Sequence, residues 1–577
     1  MKKTYDVAIL GSGIGGTLLG SILAANGLDV LLLEQGMHPR FAIGESTVPE
    51  TTVLLRLMAK RYGVPEIAHL SNFHAVRSHV SPACGVKRNF SFHHHEPGVP
   101  NDPRHTTQFM TLAPPFGPDI HYFRQDTDAY MLAVAARRGA TVRQQTQIAE
   151  IVFDDDGVEL ATASGESFRA RYVVDAGGMM APLAKKFSLR EDPCPLRTRS
   201  RTIFTHMTGV TPYDRIAAPR REHGLASPLS QGTLHHIFDG GWFWVIPFDN
   251  HPFSTNPLCS VGLTLDLAKH PEPDGTPEEE FWRIVSRYPT IARHLENARA
   301  IRPWTGTRRL QYSSTQIVGD RFCLLPHAAA FVDPLFSSGL TVTMSAINSI
   351  AARLIAAKTD GDFSGERFRY VETWTQKLYD YYDRLVSGGY IAFRDFALWN
   401  AWYRYWMICS LYGNAGVFEI LGRWEASRDP AVFDLFETAP YRGLQGCDFE
   451  PLQELFDNAC RVIESVPAGT APADAAAQLL ELLAESGLVP GPWKLSDPNQ
   501  RWFGNLTLIP TIRLVAWGRY RSPEAVRRHY FVVGRSGGLV RDLGRIGAYE
   551  VGRAGTIVGG VLRDSLKLWN DDWFPAT

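Results

Sequence analysis

The stretch that most constrains this chain is YDVAILGSGIGGTLLGSILAANGLDVLLLEQG, at residues 5–36. An apolar strand leads into Gly11, Gly13 and Gly16, an apolar helix follows these glycines, and a second apolar strand ends at Glu34. In such a unit the glycines let the backbone approach a pyrophosphate at the helix start, and the acid accepts hydrogen bonds from ribose hydroxyls. The spacing therefore predicts a Rossmann-type dinucleotide-binding unit.

Later segments favour FAD over NAD as the dinucleotide. The stretches ARYVVDAGG at 170–178 and GDRFCLLPHAAAFVDPLFSSGL at 319–340 resemble FAD-contacting segments of flavoprotein monooxygenases, which implies cofactor roles for Asp175 and Asp333. The sequence has no second strand–glycine–helix unit for NAD(P)H, since the glycines of VVGRSGG at 532–538 lack the required spacing. We therefore expect FAD that is reduced by a separate flavin reductase.

The hydrophobic pattern predicts an α/β N-terminal part and a mostly helical C-terminal part. Strand and helix patterns alternate through residues 1–360, which we assign to an FAD-binding core with a β-sheet module inserted at about 80–120 and 195–310. Residues 361–577 are rich in aromatic side chains and mostly helical in pattern, and we expect them to form a substrate-side cap. The predicted fold class is α/β, with a monooxygenase-like FAD domain.

Composition argues against several other classes of protein. The 577 residues carry a formal net charge of −1 with both signs interspersed, so we expect no nucleic-acid partner. No run of eighteen apolar residues occurs, and we expect no membrane span. The seven cysteines form no CxxC pair, which indicates a reduced, cytoplasmic protein.

The stretch GGWFWVIPFDN, at residues 240–250, is typical of a strand with a large aromatic face. Phe243 and Val245 fall on the opposite face. Two bulky indoles on one strand form a stiff barrier in a packed interior, where little spare volume exists. The residues predicted to form this barrier are Trp242, Trp244, Ile246 and Pro247.

The segment WFWVIP fits the WxWxIP signature of flavin-dependent halogenases, and together with GxGxxG it makes the chain resemble that family. The motifs most resemble the phenylpyrrole branch of the family, and the likeness weakens after about residue 440. The other segments that carry the resemblance are HPRFAIGESTVPET (38–51), GVKRNFSF (85–92), YFRQDTDAY (122–130), TLHHIFDGGWFWVIPF (233–248) and DPLFSSGL (333–340).

The resemblance implies a halogenation reaction. Reduced FAD, molecular oxygen and chloride or bromide yield hypohalous acid, the barrier keeps the organic substrate away from the flavin, and a lysine passes the halogen to the substrate. Electrophilic halogen requires an electron-rich arene such as a pyrrole, phenol or indole, as in secondary-metabolite and antibiotic biosynthesis. Two alternatives remain open, a flavin-dependent aromatic hydroxylase and a non-catalytic FAD-binding scaffold.

Lys87 is the catalytic lysine that the resemblance implies, acting either as a haloamine or as a hydrogen-bond donor to hypohalous acid. If residues 85–92 form one strand, alternate side chains share a face. One face then carries Val86, Arg88, Phe90 and Phe92. The other face carries Lys87, Asn89, Ser91 and His93, so that the amine would lie among polar side chains.

The resemblance also implies contacts to the flavin and the halide. Backbone N–H groups at Ser338 and Gly339 open a helix whose positive end favours an anion such as halide. Tryptophan-type halogenases carry a glutamate at the position of Phe336, so an acid partner for the lysine must come from elsewhere, with Glu45 and Asp333 as unranked candidates. The further cofactor-binding residues implied are Arg40, Glu45, Ser46 and Arg124.

The sequence alone assigns no function to three further features. Three consecutive histidines, His93, His94 and His95, alternate in direction on a strand, which disfavours a shared metal ion, and we expect no metal. His327 stands where related flavoproteins often have Asp or Asn, and its role stays open. The aromatic segment from Tyr379 to Trp406 is either a substrate sandwich or a plain aromatic core.

Overall fold

A computed structural model describes residues 3–112, 117–225, 227–271, 275–438, 443–503 and 508–531. The glycine-containing stretch VVGRSGG at 532–538 lies outside the described residues. The strands are β1 Thr4–Leu10, β2 Val30–Leu33, β3 Gly85–Lys87, β4 Asn89–His94, β5 Thr106–Met110, β6 Asp119–His121, β7 Thr141–Arg143, β8 Ile148–Phe153, β9 Val158–Thr162, β10 Ser167–Asp175, β11 Ser200–Thr208, β12 Gly232–Phe238, β13 Gly241–Pro247, β14 Cys259–Asp266, β15 Arg299–Ala300, β16 Thr305–Gly306, β17 Val318–Gly319, β18 Phe322–Leu324 and β19 Trp502–Phe503.

Helices connect the strands and dominate the second half of the chain. They are α1 Ile14–Ala25, α2 Pro49–Arg61, α3 Phe73–His79, α4 Arg124–Arg137, α5 Pro182–Lys186, α6 Arg220–His223, α7 Pro277–Val285, α8 Pro289–His294, α9 Pro326–Ala329, α10 Gly339–Asp360, α11 Gly365–Ala392, α12 Phe396–Ser427, α13 Glu450–Ser465, α14 Pro472–Glu485, α15 Leu508–Tyr520 and α16 Glu524–Tyr530.

The first sheet carries the predicted dinucleotide-binding unit. Its strand order is β17-β18-β10-β1-β2-β7, and β18, β10, β1, β2 and β7 run parallel. The strands β1 and β2 are apolar and largely buried, as expected for a parallel sheet covered on both faces. Parallel strands connected by α1 confirm the α/β fold class.

The second sheet places the aromatic strand β13 in its interior. The order is β15-β11-β14-β13-β12-β4-β5-β19, with β16 also paired to β11. One face packs with the main core, and the other face packs on a smaller core that includes α7 and α8. The short strand β19 joins this sheet from the C-terminal part of the chain, which the sequence did not predict. The proposed division into residues 1–360 and 361–577 remains a prediction.

Long helices cover the aromatic side of the second sheet. Both α11 and α12 bury many aromatic side chains, and α12 contributes Trp399, Trp402 and Trp406 to the main core. The helix α10 is long and apolar enough by composition to cross a membrane, but 78% of its most apolar window is buried inside the protein. It therefore packs as a core helix.

Candidate active site

The glycines that follow β1 form a cradle at the start of α1. Gly11 has φ +103°, and a Cβ atom there would lie 2.7 Å from the carbonyl oxygen of Ala176. Gly13 is the N-cap residue of α1 and has no side chain that could occupy the helix start. The first turn of the helix carries no acidic residue. A side chain at Gly16 would overlap the Gly11 backbone. The cradle thus lets an anion approach the backbone at the start of α1, as the predicted binding of a pyrophosphate requires.

Glu34 lies at the end of β2 beside this cradle. Its carboxylate accepts hydrogen bonds from the Ser12 backbone N–H at 2.9 Å and the Ser12 hydroxyl at 2.9 Å, and it pairs with Arg40 at 3.2 Å. Burial alone would raise the pKa of the Glu34 carboxyl, but the hydrogen bonds from Ser12 and Gly36 and the Arg40 cation hold it below its ordinary value. Glu34 is therefore a stable anion, positioned to accept further hydrogen bonds from a ribose.

Arg124 opens α4 and holds the loop that contains the GES sequence. Its guanidinium forms an ion pair with Asp128, at 2.8 Å and 2.9 Å, and donates to the carbonyl oxygens of Ile43 at 2.6 Å and Gly44 at 3.1 Å. The next residue, Glu45, is buried and accepts a hydrogen bond from His206 Nε2 at 2.7 Å. The loop is thus fixed from two sides.

Lys87 ends β3 and is completely buried. Its Nζ donates to Ser46 Oγ at 2.5 Å and to the Thr47 carbonyl oxygen at 2.6 Å, and it lies 3.1 Å from the centroid of the Phe90 ring. Burial lowers the pKa of the Lys87 ammonium well below its ordinary value, although Asp119 acts in the opposite direction. Burial therefore favours the neutral amine over the ammonium form at this position.

The expected single strand through residues 85–92 is wrong. Arg88 separates β3 from β4, and the two strands pair with different partners, β3 with β6 and β4 with β12 and β5. The alternation of faces therefore breaks at Arg88, and Lys87 contacts Phe90, which was assigned to the opposite face. Asn89 and Ser91 do share a face, where Ser91 Oγ donates to Asn89 at 2.8 Å.

The carboxylate nearest in register to Lys87 is Asp119, which the sequence analysis missed. The antiparallel pair β3–β6 places Asp119 directly opposite Lys87. The two acids considered earlier bind elsewhere: Glu45 contacts His206, whereas Asp333 accepts from Ser200 at 2.8 Å and Tyr390 at 3.1 Å. The only sequence signal was the alternation DIHY at 119–122, typical of a short buried strand.

Asp175 and Asp333 each accept hydrogen bonds that hold a loop in place. Asp175 ends β10 and accepts from the backbone N–H groups of Gly177 at 2.9 Å and Leu183 at 2.8 Å. Asp333 also accepts from the Leu335 N–H at 3.0 Å. Burial raises the pKa of each carboxyl to about 6. Both residues therefore shape the segments predicted to surround the flavin.

The start of α10 lies close to Lys87 through two serines. Ser338 is the N-cap residue of this helix, and its side chain makes no capping hydrogen bond. The Ser337 hydroxyl instead donates to Ser46 Oγ at 3.3 Å, and Ser46 accepts from Lys87. A Cβ atom at Gly339 would lie 2.6 Å from His327 Nε2, so only glycine admits the imidazole there. Burial lowers the pKa of His327 to about 4, with a smaller contribution from Arg124.

The strand β13 carries the residues that the sequence predicts to form an aromatic barrier. Trp242 is 1% exposed and Trp244 is 7% exposed, and their ring centroids lie 5.7 Å apart. Together with Ile246 they face the main core, whereas Phe243 and Val245 face the smaller core, as the alternation predicted. The last residue of the strand, Pro247, accepts a hydrogen bond at its carbonyl oxygen from the His121 ring at 2.9 Å.

Aromatic rings surround the side of the sheet next to Lys87. Phe90 packs edge-on against Trp406 with centroids 5.2 Å apart, and Phe336 packs on Trp406 at 5.4 Å. Phe336, which replaces the glutamate of tryptophan-type halogenases, therefore belongs to this aromatic cluster. Phe92 stacks on His235 at 4.2 Å, and His235 lies 5.6 Å from Trp242. The cluster thus connects the lysine to the barrier.

The three consecutive histidines point to separate partners. His93 contacts the Thr106 hydroxyl at 3.1 Å, His94 the Phe393 carbonyl oxygen at 2.9 Å, and His95 the ring of His236 at 2.9 Å. Within the described part of the chain, no group of three or more His, Cys, Asp or Glu side chains is arranged to hold a metal ion.

Comparison with known proteins identifies the family. Residues 103–402 match the family model described as tryptophan halogenase. The chain is 44% identical over 533 residues to the monodechloroaminopyrrolnitrin halogenase PrnC of Pseudomonas fluorescens, covering 91% of this chain and 94% of that protein. The chain belongs to the flavin-dependent halogenases. This halogenase is also 45% identical over 526 residues to the tetracycline 7-halogenase of Kitasatospora aureofaciens, covering 90% of this chain and 94% of the relative.

A solved structure agrees with the fold and the cofactor. The halogenase PltM in complex with phloroglucinol and FAD superposes with a TM-score of 0.83 at 39% identity, covering 86% of this chain and 99% of that one. The expected FAD-dependent halogenation with halide and oxygen is therefore confirmed, as is the monooxygenase-like α/β fold. The alternatives of a hydroxylase and of a non-catalytic scaffold are set aside.

Proposed function

We propose that this halogenase transfers a halogen from the flavin side of the molecule to a free, electron-rich arene through Lys87. The observation that supports this proposal is the position of the amine. Lys87 Nζ contacts Ser46, which Ser337 connects to the start of α10, and on its other side it contacts the Phe90 ring of the aromatic cluster. The amine thus lies between the predicted halide end and the aromatic side.

Each part of the site has a defined task in this proposal. Reduced FAD, when bound, supplies with oxygen the oxidising equivalents that turn halide into hypohalous acid. The backbone N–H groups at Ser338 and Gly339, at the positive end of α10, attract the halide anion. Trp242 and Trp244 keep the arene from the flavin, because rings packed on a central strand cannot be displaced without a large loss of packing.

Lys87 carries out the transfer by one of two routes. A neutral amine, favoured by burial, attacks the halogen of hypohalous acid, so that an N–X bond forms and water leaves. Alternatively the nitrogen holds the acid by a hydrogen bond while the ring attacks the halogen. Both routes require the lysine and both end with the halogen on a nucleophilic ring carbon.

A free substrate is supported by the relatives. Two proteins above 40% identity are named for monodechloroaminopyrrolnitrin and for tetracycline, and PltM has been solved with phloroglucinol. The chlorinase of Pseudomonas fluorescens named for a pyrrole on a peptidyl-carrier protein is 28% identical and matches 64% of this chain. We therefore propose a phenol or pyrrole of the free small-molecule type, and we propose that the enzyme works in the cytoplasm with a separate flavin reductase.

A halogenation assay tests the proposal. Purified enzyme, FAD, NADH, an unrelated flavin reductase and chloride or bromide are incubated with a panel of free phenols, pyrroles and indoles, and products are read by mass spectrometry. We expect mono- or dihalogenated products from at least one free arene class. Halogenation that occurs only when the same arenes are attached to a carrier protein would contradict the free-substrate proposal.

A further inference from the structure

The strands β3 and β6 bring two oppositely charged residue types together in the interior. Lys87 and Asp119 are directly opposite each other in the antiparallel register, so both side chains point to the same side of the two strands. Both residues are completely buried. Cβ atoms at such positions lie about 4.5–5.5 Å apart. Because the amine and the carboxylate are not in ion-pair contact, a proton passes between them through an intervening water molecule.

The hydrogen bonds of Lys87 and Asp119 leave both the amine and the carboxylate able to accept a proton. Asp119 Oδ1 accepts from the Thr52 hydroxyl at 3.1 Å, whereas Oδ2 has no partner among the described residues. Lys87 donates to Ser46 and Thr47, and within the described ranges no carboxylate lies in ion-pair contact with its Nζ. The pair is therefore not locked as a contact salt bridge.

We propose that Asp119 is the proton partner of Lys87, a positioning residue that stores the proton which the amine gives up and takes back in each halogen transfer. The proposal rests on the proposed role of Lys87. It also explains how a chain with Phe336 in place of a glutamate supplies the acid that the lysine needs.

The electrostatics agree with a shared proton. Burial raises the pKa of Asp119 to about 7, while Lys87, Thr52 and the cation of Arg56 act to lower it. Burial lowers the pKa of Lys87 well below its ordinary value. Burial thus shifts the pKa values of the carboxyl and the amine toward each other, so the two groups can share a proton, and the titration steps belong to the pair and not to either residue.

The other titratable groups that face the pair do not exchange protons in the same range. Burial lowers the pKa values of His121 on β6 and His235 on β12 to about 3, so both rings stay neutral. Tyr122 has a pKa raised well above its ordinary value by burial and stays neutral as well. Arg56 on α2 remains a cation throughout.

The proton balance is closed in both transfer routes. When the ring attacks a haloamine, the N–X electron pair stays on nitrogen, which takes the proton stored on Asp119, and the proton that the halogenated ring releases restores the pair. When the ring attacks hypohalous acid, the O–X electron pair stays on oxygen, which takes the proton through Lys87 and leaves as water. The ring proton again restores the pair.

The test measures halogenated product per oxygen consumed between pH 5.5 and 9. For the native enzyme we expect a bell-shaped profile, because only the form with one shared proton is competent. Asp119→Asn should lower the yield on the order of 100-fold and leave a profile with a single limb, with FAD binding and oxygen consumption retained. Asp119→Glu should restore the bell-shaped pH profile and part of the product yield.

Controls separate this role from folding and from the role of Lys87. Glu50→Gln removes another buried carboxylate, on α2, and should change neither yield nor profile. Thr52→Val removes the hydrogen bond that stabilises the Asp119 carboxylate, so the alkaline limb should move to higher pH even if Asp119→Asn does not fold. The proposal would be overturned if folded Asp119→Asn showed the bell-shaped pH profile of the native enzyme. It would also be overturned if the alkaline limb of the pH profile stayed at its native position in Thr52→Val. Native yield in Lys87→Ala would overturn the role of the lysine itself.

Discussion

Gly262 leaves space for the ring of Trp244 in the proposed barrier, and a methyl group at this position should displace that ring. Gly262 on β14 is the cross-strand partner of Trp244, and a Cβ atom at this position would overlap the indole ring at three of its carbons. The ring cannot shift freely, because Trp242 packs on it at 5.7 Å and its Nε1 donates to Ser260 at 3.2 Å. We therefore expect Gly262→Ala to displace Trp244.

The structure sets the expected size of this effect. Overpacking by one methyl in a tight core costs about 1–3 kcal/mol, and complete loss of the indole contacts would approach the roughly 3–5 kcal/mol of a Trp→Ala change. The assay is thermal unfolding together with halogenated product per oxygen consumed, and both should fall in Gly262→Ala. The double variant Gly262→Ala/Trp244→Phe should recover part of the stability, since the smaller ring leaves space for the methyl.

A matched glycine controls for the substitution itself. Gly491 has no atom within 4 Å of a built Cβ and no positive φ, so Gly491→Ala should behave as the native enzyme. If Gly262→Ala unfolds at the native temperature and halogenates at the native yield, the packing argument for the barrier is refuted.

Two further predictions concern the reductant and the barrier. Pure enzyme with FAD and NADH should consume almost no NADH, and an unrelated flavin reductase should start turnover; rapid NADH oxidation by the enzyme alone would show an overlooked nicotinamide site. Replacing both Trp242 and Trp244 with Ala should cost about 3–5 kcal/mol for each ring and lower the product formed per oxygen, as measured by chemical denaturation and mass spectrometry. If the double variant folded and halogenated its substrate at the native yield, the proposed barrier role of the two rings would be wrong.

Local patterns in the sequence predicted the parts of the site that depend on local geometry. The glycine cradle at Gly11 and Gly16, the acid at Glu34 and the alternation around Trp244 each follow from spacing within a few residues. These features confirm that a strand–glycine–helix pattern and a period of two carry information without any tertiary context.

Other parts depended on pairing between distant segments. Arg88 lies between β3, which pairs with β6, and β4, which pairs with β12. Because the alternation of faces breaks there, the Lys87 side chain contacts Phe90, which the sequence placed on the opposite face. Asp119 meets Lys87 only because two strands of three residues pair across 32 positions of chain, and such short strands have almost no periodic signal. The contact between Glu45 and His206 likewise joins segments 161 positions apart.

The most direct test of the central claim compares Lys87 variants by halogenated product per oxygen consumed. Lys87→Ala should bind FAD and consume oxygen with the reductase but form almost no product, and Lys87→Arg should fail almost as completely, because a guanidinium stays protonated. Lys87→Met keeps much of the side-chain length without an amine and should fail as well. Near-native product yield from Lys87→Met, or loss of FAD binding in Lys87→Ala, would contradict halogen transfer through this lysine.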